Sequence, residues 1–232
     1  MLMLLTTYMD LLYSALIGYA FGNILPASIL GHFKNKNPFD HGSGNPGMTN
    51  TIKIMGKSAG AIVLIGDILK TAVAILLCEY LFPHWGHVIA LYTGIGVMLG
   101  HCFPIWHHFE GGKGVAVVCA TYILYAPRPG IVALASGGIA LLLKKGVKVA
   151  AAIIPLVYCV WMLFHFTWLS YLPALAMGLL MAWLNLRPNR LQQPALESVE
   201  VPKEIEAPAT NKLPDSTLSS TSSLSQKQSE KI

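Results

Sequence analysis

The sequence predicts an all-α integral membrane protein of seven transmembrane helices, with its N-terminus outside and its C-terminus cytoplasmic. Three observations carry this. Hydrophobic residues make up 54% of the 232 residues and charged residues only 12%, too little charge to cover a water-soluble domain. The apolar residues fall in long runs between short polar loops, the pattern of a chain that uses lipid as its solvent. The cations sit in those loops with a one-sided bias.

The first run, 8–30, is long enough to cross about 30 Å of hydrocarbon. No basic region precedes it, so it reads as a retained span and not a cleaved leader. The second and third spans are 59–82 and 87–105. Segments 115–125 and 131–143 are shorter, and Ala126-Pro127-Arg128-Pro129-Gly130 between them is a turn signal. They are short enough to form a shallow hairpin, which would leave five full spans with the same sidedness. Spans 149–166 and 171–186 complete the set. With the N-terminus outside, Lys34, Lys36, Lys53, Lys57, Lys113, Lys144, Lys145 and Lys148 all lie inside, as do Arg187 and Arg190 after the last span. Only Arg128 among loop cations lies outside, and the opposite parity destroys this asymmetry.

Residues 1–193 thus read as the membrane domain. From 194 to 232 the composition turns to Pro, Glu, Ser, Thr, Gln and Lys, which cannot bury enough apolar area to offset chain entropy; this segment reads as a disordered polar cytoplasmic tail. The net charge of +5 lacks a basic stripe with interleaved aromatics, so nucleic acid is not an expected partner. Cys78, Cys102, Cys119 and Cys159 have no short mutual spacing and read as buried small hydrophobes.

Two glycine-rich loops carry the chemistry, and the charge count places both on the cytoplasmic face. In the first, Gly42, Gly44 and Gly47 let backbone N–H groups converge, while Ser43, Asn45, Thr49 and Asn50 add hydroxyl and amide donors before a helix start. The literal dinucleotide fingerprint in those glycines fails, because a membrane span precedes them where a strand is required. A solvated turn between helices is the competing reading. In the second loop, Gly111, Gly112, Lys113 and Gly114 lack the spacing and the Ser or Thr of a nucleotide loop. They still place a point charge beside free backbone donors, which suits phosphate.

Asp67 and Lys70 share a helix face inside the second span. They are either functional groups or a structural ion pair. His101, His107 and His108 read as core or interfacial histidines, and no metal site is expected. No histidine has an aspartate five positions later, so the His-x-x-x-x-Asp acyltransferase motif is absent.

The motifs 22–30, 42–50, 66–70, 100–104 and 109–116 resemble those of the PlsY family of bacterial acyl-phosphate:glycerol-3-phosphate acyltransferases. The resemblance implies acyl transfer from acyl phosphate to the 1-hydroxyl of glycerol 3-phosphate, giving lysophosphatidic acid and orthophosphate. It implies no metal or nucleotide cofactor, and an active site facing the cytoplasm of the bacterial inner membrane. It further implies Ser43, Asn45 and Lys113 as catalytic residues. Gly42, Gly44, Gly47, Thr49, Asn50, Lys53, Gly111, Gly112, Gly114, Arg187 and Asn189 would bind substrate, and Asp67, Lys70 and His101 would support the site's shape. Three positions depart from the family pattern. Lys53 replaces an arginine, Lys148 stands where a serine-containing stretch is expected, and Leu186-Arg187-Pro188-Asn189 keeps only the arginine and asparagine of the closing motif. The alternatives are a catalytically altered or inactive paralogue, or an anion transporter on the same scaffold.

Overall fold

The structure, a computed structural model, describes residues 2–188 and 191, with side chains from residue 8 onward. Asn189 and the predicted tail 194–232 lie outside the described residues. The architecture is all-helical: α1 (Leu2–Gly22), α2 (Pro26–Phe33), α3 (Met48–Met55), α4 (Lys57–Leu81), α5 (Val88–Cys102), α6 (Val115–Tyr125), α7 (Pro127–Leu142), α8 (Val147–His165) and α9 (Trp168–Leu186). Five segments among the described residues are long and apolar enough to cross a membrane: Tyr8–Phe33, Lys57–Leu81, Val88–His107, Val147–His165 and Trp168–Leu186. The shorter apolar helices α6 and α7, of 11 and 16 residues, reach about 16 and 24 Å, less than a hydrocarbon core.

Two expectations are corrected. The first span is not one helix: α1 ends at Gly22 and α2 restarts at Pro26, because proline has no N–H to give to Gly22 O. Nor is 126–130 a turn. Tyr125 closes α6, Ala126 alone intervenes, and Pro127 opens α7. Proline fits the first turn of a helix, where N–H groups have no intrahelical partner. The polar loop before the second span is also more helical than expected, since α3 and α4 are separated only by Gly56 at φ +90.

Helices α1 and α5 pack through facing small residues. Gly18 and Gly22 lie against Thr93, Val97 and Gly100, while Gly96 and Gly100 lie against Ala15 and Tyr19. A side chain at any of these four glycines would meet the partner's backbone. In lipid, where no hydrophobic force brings helices together, close backbone approach is the main source of attraction. The pairing rises in register along both chains, so α1 and α5 run parallel. α4 runs against them, with Lys70 beside Gly22 and Cys78 beside Ser14 O. The loops that follow α2 and α5 therefore emerge at the same end of the bundle.

The other half of the core centres on Tyr122 and Tyr158, both fully buried, with rings stacked at 3.7 Å. Tyr122 donates to Ala174 O at 2.7 Å and Tyr158 to Tyr122 O at 3.2 Å. Pro173 inside α9 frees Leu169 O, which accepts from the Tyr92 hydroxyl at 3.0 Å. At the α1–α2 break, where Lys70 donates to Gly22 O, and at Pro173 the released carbonyl is satisfied from another helix, as the bilayer interior requires.

Candidate active site

The first loop is shaped by Asn50, in the first turn of α3. Its Oδ1 accepts the Ser43 N–H at 2.8 Å, and its Nδ2 donates to Pro38 O and His41 O, each at 3.0 Å. The side chain is 2% exposed. All of its amide is spent on the loop, so it positions other donors and offers none itself. Gly42 (φ +67) and Gly44 (φ +70) take left-handed backbone conformations, and a Cβ on Gly42 would collide with Asn50 Oδ1. Gly47 begins α3, and its carbonyl accepts from Thr51 Oγ1 at 3.0 Å. The Ser43 hydroxyl takes no part in the bonds that shape the loop. Asn45 Oδ1 is buried without a hydrogen-bond partner among the described residues. Thr49 and Lys53 are exposed on α3.

The loop is held against the segment that follows α5. The Phe39 ring stacks on His107 at 4.5 Å, and Ser28 Oγ lies 3.2 Å from His107 Nε2. Sequence reasoning missed Ser28, Phe39 and Thr51, which are ordinary residues in a sequence and gain their roles only from the fold.

The second loop folds back on His101. Gly112 N–H donates to His101 O at 2.9 Å. A Cβ on Gly111 would meet that same carbonyl, and one on Gly112 would meet the imidazole at Nε2. Gly114 (φ +74) caps α6. Lys113 stands between them, half-buried, and its carbonyl accepts a long hydrogen bond of 3.4 Å from Asn185 Nδ2 on α9. Burial and then the charge of Lys148 push the Lys113 pKa below the ordinary lysine value. Lys148 opens α8 and so belongs to this end of the bundle. Asn185, 3% exposed, was missed, although a lone amide in an apolar helix is a signal in itself. Arg187 stacks its guanidinium 3.3 Å over the Trp183 ring, a cation–π contact at the end of α9.

Beneath the loops lies a buried charged cluster. Lys70 Nζ is 2.9 Å from Asp67 Oδ1 and 2.9 Å from His101 Nδ1, and donates to Gly22 O at 3.2 Å and Ile24 O at 2.7 Å. His101 Nδ1 is also 3.3 Å from Asp67 Oδ1. The ammonium takes the place of the N–H that Pro26 lacks. The imidazole thus presents Nδ1 to Lys70 and Asp67 and Nε2 toward Gly112. Asn23 completes the break: its Nδ2 donates to Tyr19 O at 2.7 Å and its Oδ1 accepts Ile105 N–H at 2.8 Å. One cluster therefore joins the α1–α2 break to the base of the second loop.

The structure thus groups the expected residues in three sets. Gly42, Ser43, Asn45 and Asn50 form the first loop; Asp67, Lys70, His101, Gly111 and Gly112 form a continuous contact; and Lys113, whose carbonyl accepts from Asn185, feels the charge of Lys148.

Among known proteins, residues 12–191 match the family described as glycerol-3-phosphate acyltransferase. The chain is 46% identical over 124 residues to glycerol-3-phosphate acyltransferase 1 of Lactobacillus acidophilus, a match spanning 53% of this chain and 60% of that relative. It is 34% identical over 175 residues to glycerol-3-phosphate acyltransferase of Listeria monocytogenes, spanning 75% of this chain and 88% of the relative. The crystal structure of PlsY, an integral membrane glycerol 3-phosphate acyltransferase, in its glycerol 3-phosphate form matches with a TM-score of 0.68 at 25% identity, covering 75% of this chain and 86% of that one. Its lysophosphatidic acid form matches with a TM-score of 0.66 at 26% identity, covering 75% and 87%.

Proposed function

Because this chain belongs to the glycerol-3-phosphate acyltransferase family, we propose that it moves a fatty acyl group from acyl phosphate to the 1-hydroxyl of glycerol 3-phosphate. The products are lysophosphatidic acid and orthophosphate, formed at the cytoplasmic face of a bacterial inner membrane. That it is a membrane acyltransferase follows from its family and its apolar helices; the donor, the hydroxyl and the sidedness are our reading.

The observation that supports it best is that two glycine-rich loops emerge at one end of the bundle, each carrying polar side chains suited to phosphate. The first offers the Ser43 hydroxyl and the Asn45 amide, and the second offers Lys113 at the head of α6. In the proposed reaction the hydroxyl oxygen attacks the acyl carbonyl, the new ester C–O bond forms, and the bond from carbonyl carbon to phosphate oxygen breaks. A phosphate oxygen of the donor takes the hydroxyl proton. The chain's part is to orient two anions and neutralise their charge. Lys113, Ser43, Thr49 and the N–H groups about Gly111 and Gly114 hold phosphate oxygens, while Gly44 and Gly47 spend their own N–H groups on His41 O and Asn45 O and shape the first loop. Asn45 Oδ1, a buried acceptor without a donor, receives a substrate hydroxyl. Asn50, Gly42 and Gly112 shape the loops. Lys53 and Arg187 add charge at the rim, and Asn189, outside the described residues, is proposed as a further substrate donor.

The test is orthophosphate release by purified protein in lipid discs given palmitoyl phosphate. Release should require glycerol 3-phosphate and yield lysophosphatidic acid, and Lys113→Met or Ser43→Ala should lower kcat/KM by about 100-fold, the scale of losing one charge-stabilising donor. Solute passage across vesicles with acyl phosphate intact would point to the transporter, and folded protein without either activity to an inactive paralogue.

A further inference from the structure

His107 joins three parts of the polar end. Its ring stacks on Phe39, with 4.5 Å between centroids and 25° between planes, and Phe39 leads into the first loop. Its Nε2 lies 3.2 Å from Ser28 Oγ on α2. Its carbonyl accepts the Glu110 N–H at 2.9 Å, immediately before Gly111. The turn that carries it, Ile105–His107, is anchored at its start, where Asn23 Oδ1 accepts the Ile105 N–H at 2.8 Å. Beyond His107 the chain reverses through His108 (φ +53) and Phe109 (φ +60), two consecutive non-glycine residues in the left-handed region. Such conformations are costly for residues with a Cβ and persist only where the surroundings over-determine them. The Phe109 N–H donates to Pro104 O at 3.0 Å and closes the reversal. The clamped His107 ring fixes where this reversal begins, and so where Gly111, Gly112 and Lys113 are delivered.

Each loop also has a framework of its own. Asn50 shapes the first through Pro38, His41 and Ser43, and the His101 carbonyl holds Gly112 in the second. Neither framework uses the His107 ring. Its removal therefore leaves both loops built but frees one from the other. Binding of a single anion depends on the groups around that anion. Transfer between two bound anions depends also on the distance between them, and an error of about 1 Å costs roughly 100-fold.

We propose that His107 is a positioning residue that sets the separation of the two loops, and with it the alignment of the attacking hydroxyl and the acyl carbonyl. This rests on the acyl-phosphate reading above. The test is a set of variants in lipid discs supplied with palmitoyl phosphate and glycerol 3-phosphate. His107→Ala should lower kcat by about 30–100-fold while KM for each substrate moves by less than about threefold, the mark of lost alignment with binding retained. Phe39→Ala should act alike, and the double variant should be no worse than either single one, because both remove the same stack. His107→Phe keeps the stack without the Ser28 contact and should recover about tenfold over His107→Ala, the worth of an aromatic pair. It also fills the same space, which keeps the test decisive if the alanine variant fails to fold. His108→Gly suits the left-handed turn and should leave kcat unchanged. Unchanged kcat in His107→Ala, additive losses in the double variant, or an equal fall in His108→Gly overturns the proposal. Hydrogen exchange reads the link without turnover: His107→Ala should speed exchange in both 39–44 and 109–112 by roughly tenfold, and loosening confined to 109–112 overturns the coupling. A native protein that turns over no acyl phosphate sinks the reaction reading by itself, while the exchange pattern still decides for or against the link.

Discussion

Replacement of Lys70 by methionine tests the account of the broken first span. The two side chains of the pair are each about 4% exposed, so solvent screening is small. Methionine keeps most of the volume and removes the ammonium. Gly22 O and Ile24 O then lose charge-assisted bonds of about 1.5–3 kcal/mol each, and Asp67 is left as an uncompensated buried charge. These losses share one ammonium and overlap; a total of about 3–5 kcal/mol is expected, the usual penalty for removing one partner of a buried pair. Adding Asp67→Asn should recover part of it, because the unpaired charge disappears while the unsatisfied carbonyls remain. The assay is reversible unfolding of the four members of the cycle in mixed detergent, with kcat/KM measured on the folded fractions. A loss below about 1 kcal/mol for Lys70→Met, or full recovery in the double variant, would refute the claim that Lys70 substitutes for the missing N–H of Pro26.

Three further outcomes follow from the site. Gly112→Ala drives a methyl into the His101 imidazole and should lower kcat/KM by about 100-fold, as ångström-scale misplacement does; His101→Ala in the same chain should restore part of it, and no restoration would separate the loop from the cluster. In the proposed reaction Lys113 must be protonated to hold phosphate, and its pKa lies below that of an ordinary lysine, so activity should fall as pH rises through that lowered value. Lys148→Gln removes one of the two depressing causes and should move this alkaline limb upward; a stationary limb counts against it. Asn50→Ala removes the acceptor of the Ser43 N–H and should speed hydrogen exchange at that amide by roughly tenfold, the worth of about one hydrogen bond, read by mass spectrometry.

The helices were legible because lipid imposes one rule along the whole chain: apolar runs of sufficient length must be helical. The loops were legible as glycine among small donors, and the resemblance assigned their chemistry. What escaped was division of labour. In the sequence Asn50 and Asn45 are equivalent amides, yet one is spent on Pro38, His41 and Ser43 while the other has a buried oxygen without a donor. Only three-dimensional placement distinguishes them. Pro26 was read as part of a continuous span because its consequence depends on a cation 44 positions later in the chain, at Lys70. The prolines at 127 and 129 marked a boundary correctly but not its kind, since the same ring that ends one helix can open the next.

The parallel pairing of α1 with α5 also governs how the protein is made. Gly18 and Gly96 are about 80 residues apart, so at about 5–20 residues per second the first helix leaves the ribosome some 4–16 seconds before its partner exists. During that interval the glycine face of α1 is open to other helices in the bilayer, and α4, with Lys70, is the first native neighbour to arrive. The Asp67–Lys70 pair can close on the Gly22 carbonyl before His101 is synthesised. Biogenesis therefore has a natural order: the break is capped first, the glycine seam closes second, and the polar loop end is assembled only after α9 brings Asn185 to Lys113.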